Sequence, residues 1–431
     1  MPIFLKILLL NVCLLTSFLA IAENYVITSE KQLVTVVNAA QPGDRVTVKK
    51  GYYRVNLTIT EPIYLECDQG VILDGQHQGD TVRVQSANVS IEGCRIVNWG
   101  DNLTKMNAGV FIEKQAENVR IENNIFKGDT FGIWVDSAKS VKIYHNTIEG
   151  NLSVRSQDRG NGIHLFAVTD ADVAFNEVFH TRDGIYIDTS NVNTLRNNHL
   201  HHLRYGIHYM YSYSNTLKEN YTHHTRTGYA LMQSKYLTVV GNRSEYDQNY
   251  GILMNYITYS TLHANTIRHV KQGLNPTGGA LISGAEGKAM FSYNSLFNDI
   301  VGNEFSDSDI GIHLTAGSED NKIYRNAFVH NTKQVKYVSN TKQDWSFEGE
   351  GNYWSDYLGW DMNDDGKGDV FYEPNDGIDK LLWKYPIAKL LMNSPAIEML
   401  RWIQRQFPVF RSPGVRDSFP LMVPPEQKVQ S

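Results

Sequence analysis

The stretch 184-GIYIDTSNVNTLRNNHLHHLRYGIHYMYSYSNTLKEN-220 holds two copies of one short pattern. Gly184 and Gly206 each open an apolar run and lie 22 residues apart; Asn198 and Asn220 follow at the same interval. Working outward, the glycine column continues at Gly109, Gly132 and Gly162 on one side and Gly228, Gly251 and Gly311 on the other. The asparagine column runs from Asn124 through Asn146 and Asn176, then on through Asn242, Asn265, Asn303 and Asn326 to Asn352. Both columns keep a spacing of about 22 residues, and both are stretched near 151–160 and 271–290. A shared period of this size, with β-branched runs between Gly and Asn corners, predicts a solenoid of short strands. Leucine-rich repeats have a similar period, but their regular Leu scaffold is absent. The expected fold is therefore all-β, a right-handed parallel β-helix over residues 61–352. The repeated Asn has a physical role: its amide can bond to the equivalent Asn above and below, and it tolerates a left-handed corner. Ten such coils at about 4.8 Å each make a rod on the order of 50 Å long.

A solenoid needs caps at both ends. At the front (residues 23–60), "SEKQLVTVVNAA" (29–40) predicts an amphipathic helix with a Ser29/Gln32 capping box. At the back (residues 353–431) the period stops. There Ser394 as N-cap and Pro395 at the first helical position predict a short helix, "AIEMLRWIQRQF", closed by Pro408. Residues 408–425 are Pro-punctuated and apolar, an extended arm that must lie against something. Ahead of everything, Lys6, the apolar "ILLLNVCLLTSFLA" (7–20) and "AIA" (20–22) have the form of a cleaved export signal over 1–22, too short for a spanning helix. The chain of 431 residues has a formal charge of −6. That balance excludes a nucleic-acid footprint.

With Cys13 inside the signal, Cys67 and Cys94 remain. Their contexts, "IYLEC" and "VSIEGC", look like one position in successive repeats. Stacking would bring them within disulfide range in an oxidising compartment; two small buried thiols are the alternative.

Counting from each glycine, positions +1 and +3 are aliphatic and predicted to face inward, so +2 and +4 face out. This places His208, Met210 and Met232 in one patch, with His164 two coils away at roughly 10 Å. Thioethers with an imidazole suit Cu(I) and suit Mg²⁺ or Ca²⁺ poorly. A Met pair packed under a loop is the plainer alternative. His201, His202, His223 and His224 fall near the Asn corners and are expected to be polar turn residues. "DMNDDGKGD" (361–369) places Asp361, Asn363, Asp365 and Asp369 like the start of a calcium loop. Tyr372 stands where a bidentate Glu is needed, and a self-capped polar turn competes with Ca²⁺ binding.

Catalysis has weaker support. Asp136 and Asp188 share the outer face but lie two coils apart with Phe166 between them, wide for a hydrolytic pair. Asp183 could join them. No Arg/Lys cluster offers itself to uronate carboxylates. A polysaccharide lyase or glycosidase is the rival function, and a passive scaffold without metal binding the other.

The C-terminal strings "GNYWSDYLGWDMNDDGKGDV" (351–370), "PNDGIDKLLWKYP" (374–386) and "NSPAIEMLRWIQRQFPVFRSPGVRDSFPLM" (393–422) resemble the tail of the NosD family, and the resemblance extends along nearly the whole chain. That family comprises periplasmic maturation proteins for nitrous oxide reductase. The resemblance implies a copper-handling, non-enzymatic protein. It would work with an ABC transporter (membrane subunit NosY, ATPase NosF), with nitrous oxide reductase, and with a copper donor chaperone. It supplies no short ligand motif to map onto this chain. It also gives a use for Trp383, Trp402, Phe407 and Phe410, more aromatic surface than a cap requires: docking the membrane partner through 390–425. Removing 408–431 is expected to leave a folded rod that has lost this partner.

Overall fold

A computed structural model describes residues 22–272, 286–315, 317–338, 341–375, 394–406 and 414–426. Each coil contributes three short strands, and like strands of successive coils pair in parallel, forming sheets of 13, 12 and 13 strands. One coil shows the plan. Asp183–Asp188 lies in the 12-stranded sheet, here the glycine sheet. Thr194–Arg196 lies in the leading sheet, and His199–His201 in the third, the histidine sheet. The register steps one coil at a time: Ile185 opposes Ile207, which opposes Tyr229. Ile207 and Tyr209 are fully buried, as the +1/+3 rule predicts. Thirteen strands at about 4.8 Å give a rod of roughly 60 Å.

The two columns have separate causes. A Cβ on Gly184 would sit 2.5 Å from the Gly206 carbonyl oxygen, and one on Gly206 2.6 Å from that of Gly228. The backbones approach too closely there for a side chain, so the glycines serve close packing between coils. The asparagines form a continuous ladder. Asn198 donates through its backbone N–H and its Nδ2 to Asn220 Oδ1 (3.1 and 2.9 Å), and Nδ2 also donates to Val173 O at 2.8 Å. The backbone N–H to Oδ1 link repeats from Asn124 to Asn352. The left-handed residue at each corner, however, is the one before the ladder Asn: Asn197 at φ 52° and Glu219 at φ 55°. The Asn keeps an ordinary φ because its work is done by the amide. A second ladder runs through Asn193 and Asn215, which accept from Ala171 N and Asn193 N.

Both ends of the main ladder are closed. At the front, Cys94 N donates to Asn124 Oδ1, and Cys94 is disulfide-bonded to Cys67 across a Cα separation of 4.9 Å. At the back, Asp417 Oδ2 accepts from Asn352 N (2.6 Å) and from Trp354 Nε1 (2.8 Å), standing in for the Asn of a next coil. Burial pushes the Asp417 carboxyl up to about 6. Residues 415–417 of the arm are therefore structural. Val415–Arg416 pairs in parallel with Gln343–Asp344, and Val415 is buried. This corrects the expectation that 408–431 can be removed from an intact rod, since the deletion takes the last rung with it.

The front helix spans Glu30–Ala39, and Ser29 accepts from Gln32 N. Gln32 Oε1 reaches one residue further back than a standard capping box, to Thr28 N. The C-terminal helix spans Pro395–Gln406, with Ser394 Oγ accepting from Ile397 N. The signal at 1–22 falls outside the described residues apart from Ala22, as do Trp383, Phe407 and Phe410. Among the described residues no helix is long and apolar enough to cross a membrane.

Candidate metal sites on two sheets

The +2 column of the glycine sheet points out of the coil, yet it is not in water: His164 and His208 are only 6% and 7% exposed. The rings cover one another. Successive centroids in the file Phe111, Trp134, His164, Tyr186, His208 lie 6.3, 3.9, 4.7 and 4.3 Å apart. The coil spacing of about 4.8 Å suits ring stacking. Arg83 caps the file, 4.1 Å above Phe111. At the other end Ala230 opposes His208, so the next coil offers a methyl where the others offer rings.

His208 is held from behind. Its Nδ1 lies 3.1 Å from Asp183 Oδ2, and Arg204 clamps the same carboxylate through Nε (2.8 Å) and Nη2 (2.6 Å). Burial alone would raise the Asp183 carboxyl; the hydrogen bonds from His208 and Arg204 outweigh it and hold Asp183 below the usual carboxylate range. An ionised carboxylate only accepts, so His208 carries a proton on Nδ1, and in the neutral ring the lone pair lies on Nε2. His208 Nε2 is buried and has no hydrogen-bond partner among the described residues. A carboxylate-backed imidazole with its other nitrogen open is the usual arrangement of a metal-ligating His.

Met210 and Met232 are Cα partners on adjacent coils, each half-buried and two residues beyond His208 and Ala230 respectively. His164 differs from His208. Asn161 Nδ2 donates to its Nδ1 at 3.1 Å, which leaves the proton on Nε2. Burial drives the ring's pKa down to about 3, so it is neutral. In this arrangement it is a wall of the site and becomes a ligand only if the Asn161 amide turns over.

A second group of imidazoles lies on the histidine sheet. Among the described residues, His199, His201 and His223 are the group of three metal-ligating side chains whose ligand atoms all come within 4.8 Å of one another. His202 and His224 are left-handed corner residues, as expected, but His201 and His223 end strands. Pairing places His223 opposite His201, and His199 alternates with His201 on the same face. Burial and the surrounding imidazoles push His223 down to about 4. Carrying the 22-residue period through "HLHH" (199–202) and "HH" (223–224) would have found this group.

In the 361–369 loop the side chains serve the loop itself. Asp361 accepts from Asp365 N and Gly366 N, Asp365 from Lys367 N, and Asp369 from Met362 N. Asp136, Phe166 and Asp188 are successive register partners, so the two carboxylates do lie two coils apart. On the C-terminal helix Met399 and Trp402, one turn apart, are 62% and 59% exposed.

Residues 144–359 match the family described as periplasmic copper-binding protein (NosD), and residues 55–181 match the right-handed beta helix region. Among relatives, the chain is 60% identical to a protein of Pseudomonas aeruginosa over 88% of each chain. It is 56% identical to one of Stutzerimonas stutzeri over 92% of this chain and 91% of the relative. Both are named probable ABC transporter binding protein NosD. Among solved structures, PfbA, a surface adhesin of Streptococcus pneumoniae, aligns with a TM-score of 0.55 at 12% identity, over 74% of this chain and 93% of its own. The A-module of the Azotobacter vinelandii mannuronan C-5 epimerase AlgE6 gives 0.54 at 14%, over 73% and 94%. These two likenesses establish the right-handed β-helix and nothing of its chemistry. With the family match spanning half the chain and such identities over nearly nine-tenths of it, the chain belongs to the NosD family of periplasmic copper-binding proteins.

Proposed function

We propose that this protein is an exported, non-enzymatic copper-holding scaffold that serves the copper centres of nitrous oxide reductase. Cu(I) is its cargo, and the binding group is His208 with Met210 and Met232, backed by His164. The observation that carries this reading is the buried, unpartnered Nε2 of His208, with Asp183 fixing the proton on Nδ1. Thioethers beside a neutral imidazole favour Cu(I) over harder ions. The ring file excludes water on one side and Ala230 leaves room on the other. Asp183, the remaining candidate acid, is committed to Arg204 and His208, which argues against a hydrolytic role.

The names of the relatives support an ABC transporter as partner. We assign the docking surface to the C-terminal helix, through Met399 and Trp402, facing a NosY-type membrane subunit that a NosF-type ATPase drives. A donor chaperone would load the copper site from the glycine-sheet side. The test is an anaerobic Cu(I) titration of the mature chain against a competing chelator, run beside co-isolation with the transporter. One Cu(I) withheld per chain is expected; a chain that withholds none overturns the copper reading and leaves the passive scaffold.

A further inference from the structure

The histidine sheet carries a group that the copper reading does not use. His199 Nε2 and His223 Nε2 are 2.8 Å apart. His201 stacks on His223 with centroids 4.9 Å apart, and Phe179 and Tyr221 pack against His201 and His199 at 5.0 and 5.3 Å. The same anchoring occurs in two successive coils: His201 Nδ1 lies 2.8 Å from His202 Nδ1, and His223 Nδ1 lies 2.8 Å from His224 Nδ1. His201 and His223 are thus each held at Nδ1 by the corner imidazole that follows, which leaves Nε2 as the ligand atom. Glu177 Oε1 completes the group, 3.6 Å from His199 Nδ1 and 3.5 Å from His201 Nε2.

We propose that His199, His201 and His223, with Glu177 as the oxygen donor, form a second metal site for a divalent first-row transition ion. Three imidazoles and a carboxylate, with no thioether or thiolate, suit Cu(II) or Zn(II) and lack the soft donors that favour Cu(I). At metal–nitrogen distances of about 2.0–2.1 Å, tetrahedral ligands sit roughly 3.3 Å apart. The 2.8 Å contact between His199 and His223 needs to open by only a few tenths of an ångström, within reach of a ring rotation. The ligands stand on paired strands of adjacent coils, so the rod itself sets their spacing. This site does not depend on Cu(I) binding at His208.

The test uses metal-stripped full-length mature chain titrated with Zn(II), and with Cu(II) followed by electron paramagnetic resonance. One tight divalent ion per chain is expected, with nitrogen couplings on Cu(II). His199→Gln/His201→Gln/His223→Gln should abolish the couplings and weaken binding at least 100-fold. Glu177→Gln, which removes the charged oxygen donor, should weaken it by at least the roughly 10-fold seen when a residue that only orients a ligand is lost. Equal thermal midpoints in chelator would show the triple variant folded; if it is not, His199→Gln alone must still lower affinity about 10-fold. Unchanged Zn(II) affinity and unchanged couplings in these variants overturn the proposal. A His208→Ala/Met210→Leu/Met232→Leu chain should keep this site intact, so failure of the Cu(I) site and failure of this one are read separately.

Discussion

Two histidine groups sit on one rod, built from the same period, and they differ in nearly everything that sets metal preference. On the glycine sheet His208 is buried in a file of rings, anchored by the carboxylate of Asp183, and followed along its strand by methionine. On the histidine sheet His199, His201 and His223 are half-buried, anchored by other imidazoles, and accompanied by a glutamate. The contrast comes from the coil. A solenoid repeats its backbone but not its side chains, so a residue type at one column can be walled in while the same type at another column stays near water. The first environment suits a soft monovalent ion, the second a borderline divalent one.

Asp183→Asn should separate the two most sharply. It removes the buried carboxylate from the half-buried Arg204 guanidinium and with it the group that fixes the His208 proton. We expect a loss of about 3 kcal/mol in denaturant unfolding and about 10- to 100-fold weaker Cu(I) binding, with Zn(II) binding at the histidine sheet unaffected. Equal losses at both sites would mean that they are coupled. Asn198→Ala tests the rod that carries both. It leaves Asn176 N without its acceptor and removes the side-chain bonds to Asn176 Nδ2, which keeps Ile143 O, and to Val173 O, for a cost of about 1–3 kcal/mol. Because Asn198 directly precedes His199, hydrogen exchange should speed first at 176–200.

A pH dependence is built in beneath the histidine sheet. Asp247, fully buried, accepts from Thr225 N, Thr225 Oγ1 and Ser244 Oγ at a rung where an amide would serve, and burial pushes its carboxyl up to about 7. A raised folded-state value means that this group's contribution is fully present below about pH 4. It is lost as pH rises through about 7. Asp247→Asn should therefore stabilise the protein by about 1–3 kcal/mol at pH 8 and change little at pH 4. No pH dependence in the difference between the two proteins would contradict the placement. The smallest effect on stability is expected from Trp402→Ala, within about 0.5 kcal/mol because the ring is exposed. Co-isolation with the transporter should nonetheless fall with it, while both metal sites persist; undiminished recovery would remove the C-terminal helix as the docking surface.

What could be foreseen from the residues was whatever repeats. The glycines at 184 and 206, the asparagines at 198 and 220 and the inward Ile207 and Tyr209 all follow from the 22-residue period and a strand's alternation. The same alignment brought Cys67 and Cys94 together but left a disulfide and two buried thiols both open; the structure has the disulfide. Misplaced features depend on what does not repeat. The +2 column was expected on an open face, but aromatic and imidazole rings stacked at the coil spacing bury it. Asp417 became the last ladder rung although it lies 65 residues beyond Asn352, because a cap folds back and carries no period. Asp183 stood out only as a stray acid one residue before its glycine; its partners Arg204 and His208 belong to the following coil. The His199 group was missed because His201 and His223 were expected at corners, although both end strands.

The central claim is that Cu(I) binds through His208, Met210 and Met232. It is tested most directly by anaerobic chelator competition on the mature chain carrying His208→Ala, Met210→Leu and Met232→Leu together. Near-isosteric Met→Leu changes should leave the fold standing, and retained Zn(II) binding at His199, His201 and His223 reports that it does. The account predicts that Cu(I) affinity falls at least 100-fold while Zn(II) affinity stays as in the parent chain; an unchanged Cu(I) affinity would contradict it.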